Sequence, residues 1–201
     1  MGLRQLIDAM VLGDDEAAQR MLREAPALAT AVLTRGATRL EPKESFYEAI
    51  LHYVYAGDTA LHMAAAAHRP SLTRKLISLG ADVAARNRRG ATPLHYAVDG
   101  GPGMPGWRPR DQAATVTALI KAGADPNAAD KGSTRPLHRA TRNRCAAAVR
   151  ALLEGGADPK AKNKSGATAA QLAATNTGRG GSGSPEARAQ QAEISKLLRE
   201  T

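Results

Sequence analysis

Ala91-Thr92-Pro93-Leu94-His95 decides the fold, because the chain writes this block more than once. Asp58-Thr59-Ala60-Leu61-His62 stands 33 residues before it, and Thr134-Arg135-Pro136-Leu137-His138 stands 43 residues after it. A worn copy, Ala167-Thr168-Ala169-Ala170-Gln171, follows 33 residues later. A second block, Gly-Ala-Asp, recurs at 80–82, 123–125 and 156–158. Its glycine lies 18 residues after His62 and His138 but 28 after His95, while the step from each glycine to the next His position is always 15. One 33-residue unit therefore repeats, and one copy carries ten extra residues between its two halves. A fixed period of this length marks supersecondary units that stack to bury a shared core.

Within each unit the residue types read as two short helices. Thr59, Thr92 and Thr168 precede apolar runs, where a hydroxyl can accept from the orphan N–H groups of a helix start. Pro93 and Pro136 suit the first helical position, where a missing N–H costs nothing. The first helix runs through Leu61–Ala66 and the second through Leu72–Ile77. The second helix recurs as Val116 with Leu119-Ile120, Val149 with Leu152-Leu153, and Ile194 with Leu197-Leu198. Gly80, Gly123 and Gly156 read as left-handed helix ends. The segments ending near Gly90, Gly132 and Gly166 read as β-turn fingers. An earlier helix pair, Leu3–Leu12 and Glu16–Arg23, is split at Gly13-Asp14. Residues 34–56 break the rhythm. Their stretch Ser45–Tyr55 fits a short helix or a strand, and the pattern does not choose between them.

A 33-residue period with a Thr-Pro-Leu-His core resembles the ankyrin repeat. The resemblance covers residues 55–201 well and 1–33 loosely. Arg135 replaces the usual Thr, the last copy has lost Pro, Leu and His together, and the first has no such block. Weak end copies suit capping repeats, which turn one face to water. The resemblance implies an all-α repeat solenoid of about five stacked helix-turn-helix repeats with β-turn fingers. Residues 1–33 form an N-terminal capping repeat, 34–56 an irregular aromatic-rich insertion, 57–165 three repeats with an insertion near 99–110, and 166–201 a C-terminal capping repeat with a Gly/Ser-rich insertion. It also implies that His62, His95 and His138 tie neighbouring loops together by hydrogen bonds. Held one helix spacing apart, ~8–10 Å, they stand too far from one another to share a Zn²⁺, whose bonds to nitrogen are ~2.0–2.1 Å. No metal or cofactor is expected.

Composition agrees. Apolar residues make 43% of the 201-residue chain but aromatics only 3%, so the core must be built from small and aliphatic side chains. The net charge is +9 and uneven: residues 1–48 carry six Lys/Arg against eight Asp/Glu, and the rest carries 22 against 11. That back part should attract acidic partners in a salt-sensitive way. No apolar run approaches a membrane span, the N-terminus lacks a secretory pattern, and the single Cys145 permits no intramolecular disulfide. A cytoplasmic location is the expectation. His52 and His68 read as surface or loop residues, and Cys145 as a small buried residue at the end of a first helix rather than a reactive thiol. No catalytic constellation is legible, and an enzyme is not expected. Gly178–Gly183 lacks the Gly-Lys-Ser/Thr ending of a phosphate loop and reads as flexible linker.

The candidate site follows from the register. In the family, ligands sit on the concave surface of finger tips and first helices. The tips are Tyr55, Arg88, Lys131 and Lys164, flanked by Arg86, Arg89 and Lys162. The exposed first-helix positions are Met63, Ala66, Tyr96, Asp99, Arg139, Arg142 and Asn143. Every aromatic residue (Phe46, Tyr47, Tyr53, Tyr55, Tyr96 and Trp107) lies between 46 and 107, which gives the basic groove an aromatic end. The insertion 100–110 adds Trp107 beside Arg108 and Arg110. Trp and Arg are common interface anchors, although Trp107 could equally fold back over helix ends. A second insertion, Thr177–Ala189, falls at the same place in the last repeat. The reading is a monomeric protein–protein interaction module whose basic concave groove grips an acidic or extended protein partner. A nucleic-acid-binding solenoid and an enzyme with a pocket around 46–107 are the alternatives. Reversing Arg139 and Arg142 to Glu should leave folding nearly unchanged.

Overall fold

The computed structural model describes residues 2–38, 43–175 and 183–201. Five first helices, α1 (Leu3–Leu12), α3 (Ala60–Ala66), α5 (Pro93–Ala97), α7 (Pro136–Arg142) and α9 (Ala169–Ala174), stack in that order. Five second helices, α2 (Asp15–Glu24), α4 (Pro70–Ser78), α6 (Pro109–Lys121), α8 (Ala146–Glu154) and α10 (Pro185–Leu197), make the parallel outer layer. The core between the layers is aliphatic: Leu6, Ile7, Met10, Leu22, Leu61, Leu72, Leu76, Leu94, Leu119 and Leu152 are fully buried. Each such side chain contributes ~1.5–3 kcal/mol. Alanines such as Ala64, Ala65 and Ala148 let helices approach closely. Among the described residues no helix is long and apolar enough to cross a membrane.

The repeated histidine performs two jobs at once. Its Nδ1 accepts the backbone N–H of the residue that opens the helix: Thr59 at 3.2 Å for His62, Thr92 at 3.1 Å for His95 and Arg135 at 3.2 Å for His138. A neutral ring that accepts at Nδ1 carries its proton on Nε2. That Nε2–H donates to a carbonyl of the following repeat, Ala91, Thr134 or Ala161, at 3.2, 3.0 and 3.0 Å. Arg135 keeps this bond because it uses the backbone N–H, and it lacks only the hydroxyl that Thr59 offers to His62 N–H. In the last repeat the Gln171 Oε1 takes over the capping acceptance from Thr168 N–H at 2.8 Å.

The Gly-Ala-Asp blocks close the second helices. Gly80, Gly123 and Gly156 adopt φ of +87°, +94° and +89° one residue beyond each helix cap. The following Asp82, Asp125 and Asp158 each accept a backbone N–H two residues on, at 2.8 Å.

Both irregular segments have defined forms. After a 3-10 turn at Lys43–Ser45, residues 46–53 are a β-hairpin whose strands, β1 (Phe46–Tyr47) and β2 (His52–Tyr53), flank a second 3-10 turn at Glu48–Ile50, so helix and strand both occur. The chain entering it pairs with the chain leaving it, through Leu33 N–H to Asp58 O at 2.8 Å and Ala37 N–H to Val54 O at 2.7 Å. The insertion between α5 and α6 is divided between a loop, 98–108, and extra length in α6, which has 13 residues against 9 in α4 and α8. Gly101 is needed there, because a Cβ would stand 1.9 Å from the Asn143 carbonyl oxygen. The Gly-rich linker reading at 178–182, and with it much of the insertion 177–189, falls outside the described residues.

Candidate functional site

The residues expected to line one groove fall into three groups. The first is a polar hub on Asp99, just past the end of α5. Its carboxylate accepts from Arg139 Nη1 at 3.1 Å, His52 Nε2 at 3.0 Å and Asn143 Nδ2 at 3.3 Å. Arg139 spans to Asp130 with its other nitrogen at 3.0 Å. The Asp99 carbonyl accepts from Gln112 Nε2 at 3.0 Å and from the His68 ring at 2.9 Å. One aspartate thus joins the hairpin, the turn after α3, the insertion and α7. Burial alone would raise its carboxyl pKa, but the Arg139 charge and the His52 hydrogen bond outweigh it and hold it down at about 2. Burial pushes His68 down to about 4, despite its carbonyl partner. His52 and His68 are therefore linchpins rather than surface residues. Arg139 is 19% exposed and fully engaged, so its reversal would break folding rather than spare it.

The second group centres on buried Asp58. It accepts from Tyr96 Oη at 2.9 Å, Asn87 Nδ2 at 2.9 Å and Tyr55 N–H at 2.6 Å. Tyr96 is 1% exposed, with the His52 ring 4.3 Å away and the His62 ring 5.1 Å away. Met63 and Ala66 are buried too, at 0% and 6%. The expectation that these three face solvent fails, and the His52 ring of the hairpin lies on Tyr96. Tyr47 donates to Asp8 on α1 at 2.5 Å, and His52 touches α5, so the hairpin crosses the intervening α3. The chain's own insertion fills the front of its groove.

The third group is the row of fingers. Arg88 N–H donates to Ala56 O at 2.8 Å, and Lys131 N–H donates to Arg89 O at 3.0 Å, so the second and third fingers are each hydrogen-bonded to the one before. Arg86 Nη1 bridges Gly90 O and Ala129 O at 2.9 and 2.8 Å. At the first finger the Arg88 and Arg89 guanidiniums each lie 5.2 Å from the Tyr55 ring centre, and Arg88 also donates to the Ala37 carbonyl. Tyr53 extends the cluster, its ring tilted at 49° to that of Phe46 with centres 4.7 Å apart, and is 38% exposed. Arg86, Arg88, Arg89, Lys131, Lys162 and Lys164 are all exposed. None forms an ion pair with a carboxylate among the described residues. Arg142 is exposed on α7, and Asn143 is turned inward onto Val98 O at 2.9 Å.

Trp107, Arg108 and Arg110 stand apart from the fingers, at the far end of the first helices. Trp107 is half-buried and donates to Gln112 Oε1 at 2.8 Å. It helps wall a cleft of about 200 Å³ with Ile50, Met104 and Arg69. Cys145 is buried at the start of α8, and burial pushes its thiol up to about 11, which suits a small core residue. Asn87 and Asp130 escaped the sequence reading of the site. Their signal was available, since 87, 130 and 163 occupy one register position in the fingers.

Comparison with known proteins agrees with this architecture. The family described as "Ankyrin repeats (many copies)" matches residues 61–102 and 119–173, and "Ankyrin repeat" matches 89–131. Together they span more than half of the chain, which belongs to the ankyrin-repeat family. Mouse "Ankyrin repeat and SOCS box protein 16" is 41% identical over 87 residues, covering 43% of this chain and 19% of that protein. The Caenorhabditis elegans "Ankyrin repeat and LEM domain-containing protein 1 homolog" is 38% identical over 81 residues, 40% of this chain and 9% of that protein. Mouse "Cyclin-dependent kinase 4 inhibitor B" is 34% identical over 88 residues, 43% of this chain and 59% of that protein. In each case the match covers less than two thirds of the relative. Ankyrin repeats are in general protein–protein interaction modules, and the family is in general non-enzymatic.

Proposed function

We propose that this chain is a protein-binding module that receives an acidic, extended segment along its finger row, as a monomer in the cytoplasm. The observation that carries the reading is the line of exposed cations on consecutive fingers, the first three of them hydrogen-bonded finger to finger, without ion-pair partners among the described residues. Fingers recur about one helix spacing apart, ~8–10 Å, and an extended chain of the polyproline II type advances ~3.1 Å per residue with three residues per turn, so side chains three apart share one face. Acidic side chains three residues apart therefore match successive tips. The Tyr53–Tyr55 cluster offers an anchor at the front end, and exposed Arg142 continues the charge on α7. Rim charges mainly set the encounter rate and its salt dependence.

The test uses kinetics against an acidic peptide with glutamates at every third position, and capture from native lysate with and without nuclease. Reversing Arg89, Lys131 and Lys164 to Glu should slow association at low salt and flatten its salt dependence, with the fold intact. An unchanged association rate overturns the reading. Capture that vanishes with nuclease points instead to nucleic acid.

A further inference from the structure

Arg144 occupies the turn between α7 and α8 and is 2% exposed. Both of its terminal nitrogens are buried without a hydrogen-bond partner. The Thr141 hydroxyl beside it is likewise buried and unpartnered. The same position two repeats earlier is His68, with the same left-handed backbone: φ is +50° there and +58° at Arg144. His68 is satisfied by the Asp99 carbonyl of the next repeat. Arg144 has no such bond, and arginine cannot relieve itself by losing a proton. Leaving a charge buried without compensation is among the costliest defects a fold can carry.

The guanidinium and the hydroxyl line one small pocket at the junction of the last two repeats, with Leu172, Ala173, Gln191 and Ile194. Among the described residues no carboxylate lines it, and Gln191 spends its amide N–H on the Ala173 carbonyl at 2.6 Å. Its volume is about 10 Å³, the lower limit for one water, so a halide, which is larger, enters only if the lining side chains move outward slightly. What the pocket lacks is one negative charge, and what it admits is one small sphere. We propose that Arg144 and Thr141 form a binding site for a monatomic anion of the halide class, with chloride as the physiological occupant. The anion accepts from the guanidinium and the Thr141 hydroxyl and neutralises the buried charge. Because α7 lies on one side and α9 and α10 on the other, occupancy staples the C-terminal repeat to the array.

Two measurements on the full chain test the site. Thermal unfolding by circular dichroism is compared in sodium bromide and sodium fluoride at matched ionic strength. Tm should rise in bromide by roughly 3–5 °C per tenfold concentration above the dissociation constant. General salt exclusion favours the strongly hydrated anion and runs the other way. In Arg144→Met the bromide-specific rise should disappear, with Tm at low halide equal to or above that of the parent, since an uncompensated charge has been removed. If Arg144→Met lowers Tm equally in both salts, the guanidinium is satisfied by the protein itself and the proposal fails. Should that variant not fold, anomalous diffraction from parent crystals grown in bromide decides. A peak within hydrogen-bonding reach of Arg144 and Thr141 supports the site, and density without anomalous signal means water alone and overturns it.

Discussion

Tyr96 and Arg139 hold the same place in neighbouring repeats, one residue after the repeated histidine, yet they live in different chemistries. Tyr96 lies under the hairpin, its hydroxyl shared by Asp58 and Asn87. Arg139 lies beyond the hairpin, clamped between Asp99 and Asp130. The finger residue changes with it: Asn87 donates to the Tyr96 oxygen at 2.8 Å, whereas Asp130 accepts from Arg139. Both fingers keep the shared backbone role, for Asn87 Oδ1 accepts from Arg89 and Ala91 N–H and Asp130 Oδ1 from Gly132 and Thr134 N–H. The second polar atom of the finger residue is thus free to match whatever stands on the helix. The front half of the array spends its groove on internal packing, and the back half keeps an exposed cationic face.

The largest effect should separate Arg139 from Arg142, two cations on one helix. Arg139→Glu places three carboxylates together and should cost about 3–5 kcal/mol in urea unfolding. Arg142→Glu, on the exposed face, should stay within about 0.5 kcal/mol. Equal costs would erase the distinction between hub and surface.

A smaller contrast sets His95 against Gln171. His95→Ala strands the Thr92 N–H and the Thr134 carbonyl and should cost about 1–3 kcal/mol. Gln171→Ala loses only an exposed cap and should cost about 0.5 kcal/mol. If Gln171 proves the costlier, the inter-repeat bond is not what the histidine supplies.

The array was legible because its signals are local and repeat: a cap, a proline, a left-handed glycine and an aspartate at fixed spacing. The hairpin's position was not, because Tyr47 and His52 reach α1 and α5 through contacts that no periodicity announces. The aromatic clustering between 46 and 107 was a correct observation of the sequence, and it marks a self-packed region there. Tyr96 therefore reads as exposed by register and is buried in fact. The finger cations were visible because finger tips stand clear of the core in every repeat.

Acid should loosen the chain in two stages. Burial holds His68 and His95 down at about 4, so between pH 6.5 and about 4 the unfolded chain takes up protons that the folded chain refuses, and stability falls as pH falls. Asp99, held at about 2, adds a second loss as pH drops below 3.8. Urea midpoints across this range measure both. The second stage should shrink in Asp99→Asn, and an unaltered acid limb would remove Asp99 from its role as the hub.

The division between a filled front and an available finger row is tested most directly by hydrogen exchange on the full chain, with and without the acidic peptide. The account predicts added protection at the finger segments 86–91, 129–134 and 162–167, with the hairpin strands at 46–53 and helix α3 unchanged. Protection lost at 46–53 and gained at α3 would mean that the partner displaces the hairpin and takes the groove, contradicting the account.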